Sequence, residues 1–161
     1  MSICTRVRPL AMQLLASTTF RRDPTAVPAA RKFVRTVLAS LDLTDDAQER
    51  LVLAAAEACN NVVLHADCDT FTVTVSRDDR SCVIDVTDSG HGFYVPSSFD
   101  MPPASEVGRR GLALMQALVD RVRVASSPMG TAVMLCQALA NSGAAAANGT
   151  AAAAMPGRAA G

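Results

Sequence analysis

The chain has 161 residues, a formal net charge of zero and an apolar content of 50%. At this length and composition we expect one globular domain with a sizeable core rather than a disordered chain. Like charges do not cluster and no apolar stretch reaches bilayer length, so we expect neither direct nucleic-acid binding nor a membrane span. We interpret the arginine-containing N-terminus as mature sequence.

The first part of the chain carries the pattern of a strand followed by two helices. Residues 10–21 mix apolar residues with Ser and Thr, which predicts a strand. Apolar residues then recur at helical spacing over Pro24–Leu41. Thr44 is followed by two aspartates, a pattern typical of a helix N-cap, and the apolar positions after it predict a second helix to about Ala66.

The middle of the chain predicts a hairpin, a loop and a third helix. Apolar and polar residues alternate over residues 71–75 and 81–87, which predicts two antiparallel strands joined by the RDDR turn. Residues 94–107 are rich in Pro and Ser and lack periodicity, so we expect a long loop that is either a lid or disordered. Residues 108–120 again have helical spacing.

The last part of the chain predicts a second hairpin and a tail. RVRVASS and GTAVMLCQAL flank a turn at residues 128–130, and from about Asn141 the sequence is an Ala/Gly tail that we expect to be disordered. We therefore divide the chain into residues 1–19 with the first strand, a domain at residues 20–138, and a tail at residues 139–161.

The cysteines favour a reducing environment. There are five, an odd number without a CxxC pair, namely Cys4, Cys59, Cys68, Cys82 and Cys136. A metal site made from His65, Cys68 and His91 would match no known ligand spacing. Free buried thiols in a cytoplasmic protein are the better interpretation.

A polar stripe interrupts the apolar second helix. Glu57, Asn61 and His65 recur at four-residue intervals and therefore share one helix face. An ordinary solvent face is the alternative, but the neighbouring residues are Ala, Cys and Val rather than charged residues. An amide oxygen suits Mg²⁺ that also binds phosphate, and a carboxylate one turn away can accept a proton.

The segment DSGHGF, residues 88–93, ends the strand before the long loop. A plain turn would explain it, since Asp and Gly are common at strand ends. A ligand site would also explain it, because Asp88 can accept a hydrogen bond and glycines allow backbone to come close. The glycine-flanked start of the third helix could then hold phosphate on its free N–H groups.

The ordered set E-x-x-x-N, D-x-G-x-G, a Gly-containing helix start and a late Gly-Thr resembles the GHKL ATPase superfamily over roughly residues 20–138. This resemblance implies the Bergerat ATP-binding fold. That fold is an α+β, two-layer α/β sandwich with a mixed, mainly antiparallel sheet covered on one face by helices. It also implies ATP and Mg²⁺ as cofactors.

The resemblance also implies roles for residues at the adenine. Asp88 would accept a hydrogen bond from the adenine amino group. Gly90 and Gly92 would let the backbone bend past the base, and Thr131 would lie near the adenine.

Other residues would serve the phosphates. On the same resemblance Asn61 coordinates Mg²⁺, and Gly108 and Gly111 lie at the phosphates. The sequence departs from the pattern here, because it reads GRRGL where related small proteins often read GRGL. Arg109 or Arg110 either neutralises phosphate or forms a solvated pair on a mobile lid.

Within the superfamily, EACNNVVLHA (residues 57–66) and the short chain resemble the anti-sigma-factor serine/threonine kinases. This resemblance implies a cytoplasmic homodimer that holds a sigma factor. It also implies phosphorylation of a serine on a STAS-domain anti-sigma-factor antagonist, with Glu57 as the general base. Arg21 and Arg22, before the first helix, could meet an acidic partner, although a solvated surface is the default interpretation.

Two other functional classes stay open. The first is an ATP-binding regulator that sequesters a partner without kinase activity, which the GRRGL departure favours. The second is a small ATPase or a phosphatase-associated fragment, which nothing beyond the shared nucleotide motifs supports.

Overall fold

The structure, a computed structural model, describes residues 11–92 and 107–140. This part of the chain forms five strands and three helices, which are, in order, β1 (Gln13–Arg21), α1 (Ala26–Leu38), α2 (Asp45–His65), β2 (Thr70–Arg77), β3 (Ser81–Asp88), α3 (Val107–Leu118), β4 (Arg121–Ser127) and β5 (Gly130–Ala138). All the elements expected from the periodicity are therefore present. The proposed lid, except its last residue, and most of the proposed tail lie outside the described residues.

The five strands form one sheet in the order β1-β2-β3-β5-β4. This architecture confirms the predicted α+β fold, but the sheet is antiparallel between all neighbours of the described strands rather than mixed. The reason is the position of β5. It lies between β3 and β4, so the two strands that α3 connects run in the same direction without being neighbours.

Side-chain alternation places the helices on one face of the sheet. Phe71, Val73 and Val75 on β2 are almost completely buried, as are Ile84 and Val86 on β3. These side chains pack with residues of all three helices in one core. The opposite face of β1 and β2 carries short hydroxyl side chains, which are hydrogen-bonded across the two strands. The sheet thus has one apolar face for the helices and one polar face.

Helix α2 lies at the centre of the helical layer, packing against both α1 and α3. It begins as predicted, with the Thr44 side chain accepting a hydrogen bond from the N–H of Ala47 at 3.2 Å and with acidic residues in the first turn. Its buried side is built largely from alanines, so α2 can lie close to the sheet. Arg35 and Glu49 add a two-point ion pair between α1 and α2, with N–O distances of 3.1 and 2.9 Å.

Helix α3 ends two residues before the predicted end at Asp120. The Asp120 carboxylate instead accepts hydrogen bonds from the backbone N–H of Ala138 at 2.7 Å and from the side-chain amide of Gln137 at 2.9 Å. Asp120 therefore fastens the end of β5 to the start of β4. The helical spacing of the sequence therefore continues past the last helical residue. Local periodicity could not show these contacts, because Asp120 makes them with residues 17 and 18 positions further along the chain.

The described cysteines are all free. Cys59 and Cys82 are buried in the core, and burial raises the pKa of each thiol to about 12. Their side chains therefore act as small apolar residues. Among the described helices, none is both long enough and apolar enough to cross a bilayer.

The N-cap of α2 gives a direct test of the fold. The Thr44→Ala variant is expected to lower the free energy of unfolding by about 1 kcal/mol, because the Ala47 N–H loses its acceptor. Thr36→Ala is the matched control. Its hydroxyl donates to the Lys32 carbonyl within α1, so the change should stay within about 0.5 kcal/mol. Urea unfolding followed by circular dichroism measures both, and equal losses would contradict the role of the cap.

Candidate functional site

The polar stripe of α2 lies against the beginning of α3. A Cβ atom at Gly111 would stand 3.2 Å from Oδ1 and 3.3 Å from Nδ2 of Asn61, and 3.5 Å from Oε2 of Glu57. The missing side chain at Gly111 thus allows α3 to approach both polar groups. The structure brings these three residues together, whereas His65 is exposed at the end of α2.

The first turn of α3 places backbone N–H groups near this polar pair. Gly108 lies in that turn, one helical turn before Gly111. The first N–H groups of a helix have no partner within the helix and carry a partial positive charge, so they suit an anion. The side chains of Arg109 and Arg110 lie outside the described part of the chain, and the structure leaves their two interpretations as they were.

A second group of candidate residues lies where β3 ends. The Asp88 Oδ1 atom accepts a hydrogen bond from the backbone N–H of Gly90 at 2.9 Å. This local bond closes the turn, as the plain-turn interpretation expects. A carboxylate has two oxygens and several acceptor positions, and one such bond leaves capacity for a ligand.

Gly92 is held by backbone geometry. Its φ is +71°, and a Cβ atom there would stand 2.2 Å from the Ser127 carbonyl oxygen and 2.6 Å from Ser126 Oγ. Only glycine fits such a combination of positive φ and close approach. The turn after β3 therefore packs directly against the end of β4 at Gly92.

Thr131 completes this group from β5. It is paired with Asp88 in the sheet register, and its side chain is buried. Its hydroxyl oxygen lies 3.3 Å from the Ser126 hydroxyl oxygen. Asp88, Gly92 and Thr131 thus meet at one end of the sheet. Ser126 was not expected, because only the β4–β5 register brings it next to Thr131.

A cavity of about 290 Å³ opens at the same end of the sheet. Asp88, Ser126 and Thr131 help to line it. Thr87, Ala125 and Ala132 also line it, and these form a cross-strand row that alternates with the core-facing residues. The cavity therefore reaches toward the helix-free face, and it does not include Glu57 or Asn61.

The electrostatic surroundings of Asp88 include one thiol. Cys68 is partly buried, and its pKa is raised first by burial and then by the negative charge of Asp88. Within the described residues no group of three or more His, Cys, Asp or Glu could hold a metal ion. On α2, the Asn61 amide oxygen is a group that could hold a cation together with water and phosphate oxygens. This arrangement fits Mg²⁺, which keeps several waters and binds phosphate.

Sequence comparison connects this geometry to known proteins. Residues 20–137 match the family described as Histidine kinase-like ATPase domain. The chain is 29% identical over 123 residues to the anti-sigma F factor of Bacillus velezensis, covering 70% of this chain and 84% of the relative. It is 31% identical over 121 residues to the anti-sigma F factor of Pasteuria penetrans, covering 68% of this chain and 81% of that relative.

Comparison of folds agrees with the sequence match. The chain is similar to a solved structure of the RsbU and RsbW domains of a protein from Mycobacterium tuberculosis, with a TM-score of 0.58 and 20% identity. The similarity covers 76% of this chain and 32% of that chain, so this chain spans about a third of the larger protein. At this identity the likeness bears on the fold alone.

The contact of Gly92 with β4 predicts a large loss of stability on substitution. The Gly92→Ala variant should lose about 2 kcal/mol or more of unfolding free energy, because positive φ and the Ser127 carbonyl both oppose a Cβ atom. Gly111→Ala is the control. It adds the same methyl group beside the side-chain ends of Asn61 and Glu57, which can shift. Because alanine also favours the helix, the free energy of unfolding should change by no more than about 1 kcal/mol although the polar pair is displaced. Chemical denaturation compares the two, and a smaller loss at Gly92 than at Gly111 would contradict this geometry.

Proposed function

We propose that this chain, which belongs to the histidine kinase-like ATPase family and groups with anti-sigma F factors, is an ATP-dependent protein serine kinase that controls a sigma factor. The observation that carries the proposal is the approach of Gly111 to Glu57 and Asn61. It puts a carboxylate, an amide oxygen and a helix N-terminus at one place. Phosphoryl transfer needs these groups for proton acceptance, cation binding and charge stabilisation.

We propose that the adenine end of the nucleotide lies at the end of β3. The Asp88 carboxylate would accept a hydrogen bond from the adenine amino group, and its position is fixed by the bond from the Gly90 N–H. Thr131, paired with Asp88, would place its hydroxyl beside the base. Gly90 and Gly92 would let the backbone bend past the base, and Gly92 lies close to the end of β4.

The phosphate end would lie between α2 and α3. Backbone N–H groups of the first turn of α3, near Gly108 and Gly111, would bind phosphate oxygens, and the helix dipole favours that charge. The Asn61 amide oxygen would be the protein ligand of Mg²⁺. When bound, this ion would neutralise charge on the phosphates.

Glu57 would act as the general base toward the incoming serine hydroxyl. It lies one turn before Asn61 on α2 and near Gly111, so its carboxylate faces the same space as the cation ligand. A rigid, partly buried helix holds both side chains, which fits a reaction that depends mainly on positioning.

The relatives support the choice of partners. Two of them carry the name anti-sigma F factor. We propose that this chain likewise holds a sigma factor, as a homodimer in the cytoplasm. Its substrate would be a serine of a STAS-domain antagonist of the anti-sigma factor.

One second function is favoured by a specific feature. The GRRGL segment at the start of α3 places an arginine where related small proteins often have glycine, at the turn proposed to bind phosphate. A regulator that binds ATP and sequesters its partner without transferring phosphate would tolerate this change. The two functions differ in one measurable respect, the appearance of phosphoserine on a protein substrate.

The role of Asp88 is tested by nucleotide binding. Asp88→Asn should weaken ATP and ADP binding by about 30-fold, the equivalent of about 2 kcal/mol for a hydrogen bond to a charged acceptor. The control is Asp85→Asn on the same strand, whose side chain faces the opposite side of the sheet and should change the affinity less than about twofold. Calorimetric titration with each nucleotide, with and without Mg²⁺, gives the affinities of the wild type and of both variants. Unchanged affinity in Asp88→Asn would refute the adenine assignment.

The role of Glu57 is tested by separating binding from transfer. Glu57→Gln should bind ATP with an affinity close to that of the wild type, yet phosphorylate a STAS-domain protein about 100-fold more slowly or not at all. Mass spectrometry of a panel of purified STAS-domain antagonists incubated with ATP and Mg²⁺ gives the rate. A wild-type protein that binds ATP and phosphorylates none of the panel would favour the non-catalytic regulator.

A further inference from the structure

The connection between α2 and β2, residues 66–69, packs against the turn that carries Asp88. A Cβ atom at Gly90 would stand 3.0 Å from the backbone nitrogen and 3.4 Å from the carbonyl oxygen of Asp67. The backbone N–H of Ser89 lies beside the Cys68 thiol. His91 Nε2 also lies 3.4 Å from Asp67 Oδ2. Three successive residues after Asp88 therefore rest on this connection.

Arg22 holds the same connection from its other side. Its Nε donates to the Cys68 carbonyl oxygen at 2.7 Å, and its Nη1 donates to the Val63 carbonyl oxygen at 3.3 Å. Its backbone N–H donates to the carbonyl oxygen of Asp69 at 2.9 Å. One residue thus spans the last turn of α2 and the chain that follows it.

The way in which α2 ends explains why the Arg22 guanidinium lies at this place. The helix stops at Ala66, whose backbone is extended with φ −79° and ψ 140°. The carbonyl of Val63 would otherwise accept from residue 67, which has left the helix. Carbonyl groups at a helix C-terminus carry partial negative charge, and a guanidinium with several donors satisfies them well.

We infer that Arg22 is a positioning residue for the nucleotide site, acting through residues 66–69 to fix the turn that presents Asp88. The inference rests on the proposed function. It gives Arg22 a structural role within the domain, whereas the sequence had suggested a solvated surface or contact with an acidic partner. Arg22 touches neither the reacting atoms nor any residue assigned to the phosphates, so its effect should fall on the adenine end.

Replacing Arg22 is expected to disorder residues 66–69 rather than to weaken the hydrophobic core. The bonds of Arg22 are exposed, so water can replace its donors and the stability of the domain should change little. Residues 66–69 would gain freedom, and Ser89 and Gly90 would lose the fixed surface on which they rest. A ligand that requires one position of Asp88 would then have to order this turn, which lowers its affinity.

The test compares Arg22→Gln with Arg21→Gln, the adjacent arginine on β1, in the full-length chain. Calorimetry should show ADP affinity about tenfold weaker in Arg22→Gln and changed less than about twofold in Arg21→Gln. Arg22→Lys should recover part of the loss, because an ammonium can still donate to the Cys68 carbonyl. Thermal unfolding midpoints of all variants should lie close to that of the wild type.

Hydrogen exchange on the nucleotide-free protein gives a second readout that does not need binding. The amides of Ser89 and Gly90 should exchange about tenfold faster in Arg22→Gln, while the Val133 amide in the middle of β5 keeps its wild-type rate. Equal acceleration at Val133 would mean general destabilisation and would overturn the inference, as would wild-type ADP affinity in Arg22→Gln. If the wild-type protein binds no nucleotide, the proposed function fails, and the exchange rates alone decide whether Arg22 fixes the turn.

Discussion

The arrangement of this protein depends on the two-sided character of α2. Its alanine-rich side must pack on the sheet, while its other side must leave Glu57 and Asn61 facing α3. Both conditions hold only if α3 can come close without a side chain at the point of contact, and Gly111 provides that. A bulkier residue at Gly111 would separate the polar pair from the backbone donors of α3. The relative position of these groups is therefore set by one helix–helix approach.

The other end of the site depends on the sheet instead. Asp88, Thr131 and Ser126 lie on three adjacent strands, and their proximity follows from antiparallel register. A register shift of one residue would turn these side chains to the opposite face. Since Gly92 lies too close to the Ser127 carbonyl and the Ser126 hydroxyl to carry a Cβ atom, the turn after Asp88 also packs directly against the sheet. The recognition of a base that we propose here would thus depend on strand pairing.

Local patterns were sufficient for the elements and for much of the candidate site. The Thr44 cap, the spacing of Glu57 and Asn61, and the strand ending at Asp88 each depend on residues close in sequence, so periodicity predicts them. The bonds of Arg22 and Asp120 depend on residues distant in sequence or on strand order, and no local signal indicates them. For the same reason the sequence led us to expect a mixed, mainly antiparallel sheet, whereas the described strands are antiparallel to all their neighbours. Strand order, which places β5 between β3 and β4, is a property of the whole chain.

The division of the site between sheet and helices bears on the choice between kinase and regulator. The residues proposed for the adenine end are held by strand pairing. The proposed phosphate end depends on how α3 begins, where the sequence departs from the common pattern. A change in the first turn of α3 would therefore alter the proposed phosphate geometry without disturbing the proposed base recognition. On the proposed site, nucleotide binding and phosphoryl transfer would be separable functions. For this reason binding alone cannot establish a kinase, and phosphoserine on a partner protein is the observation that distinguishes the two.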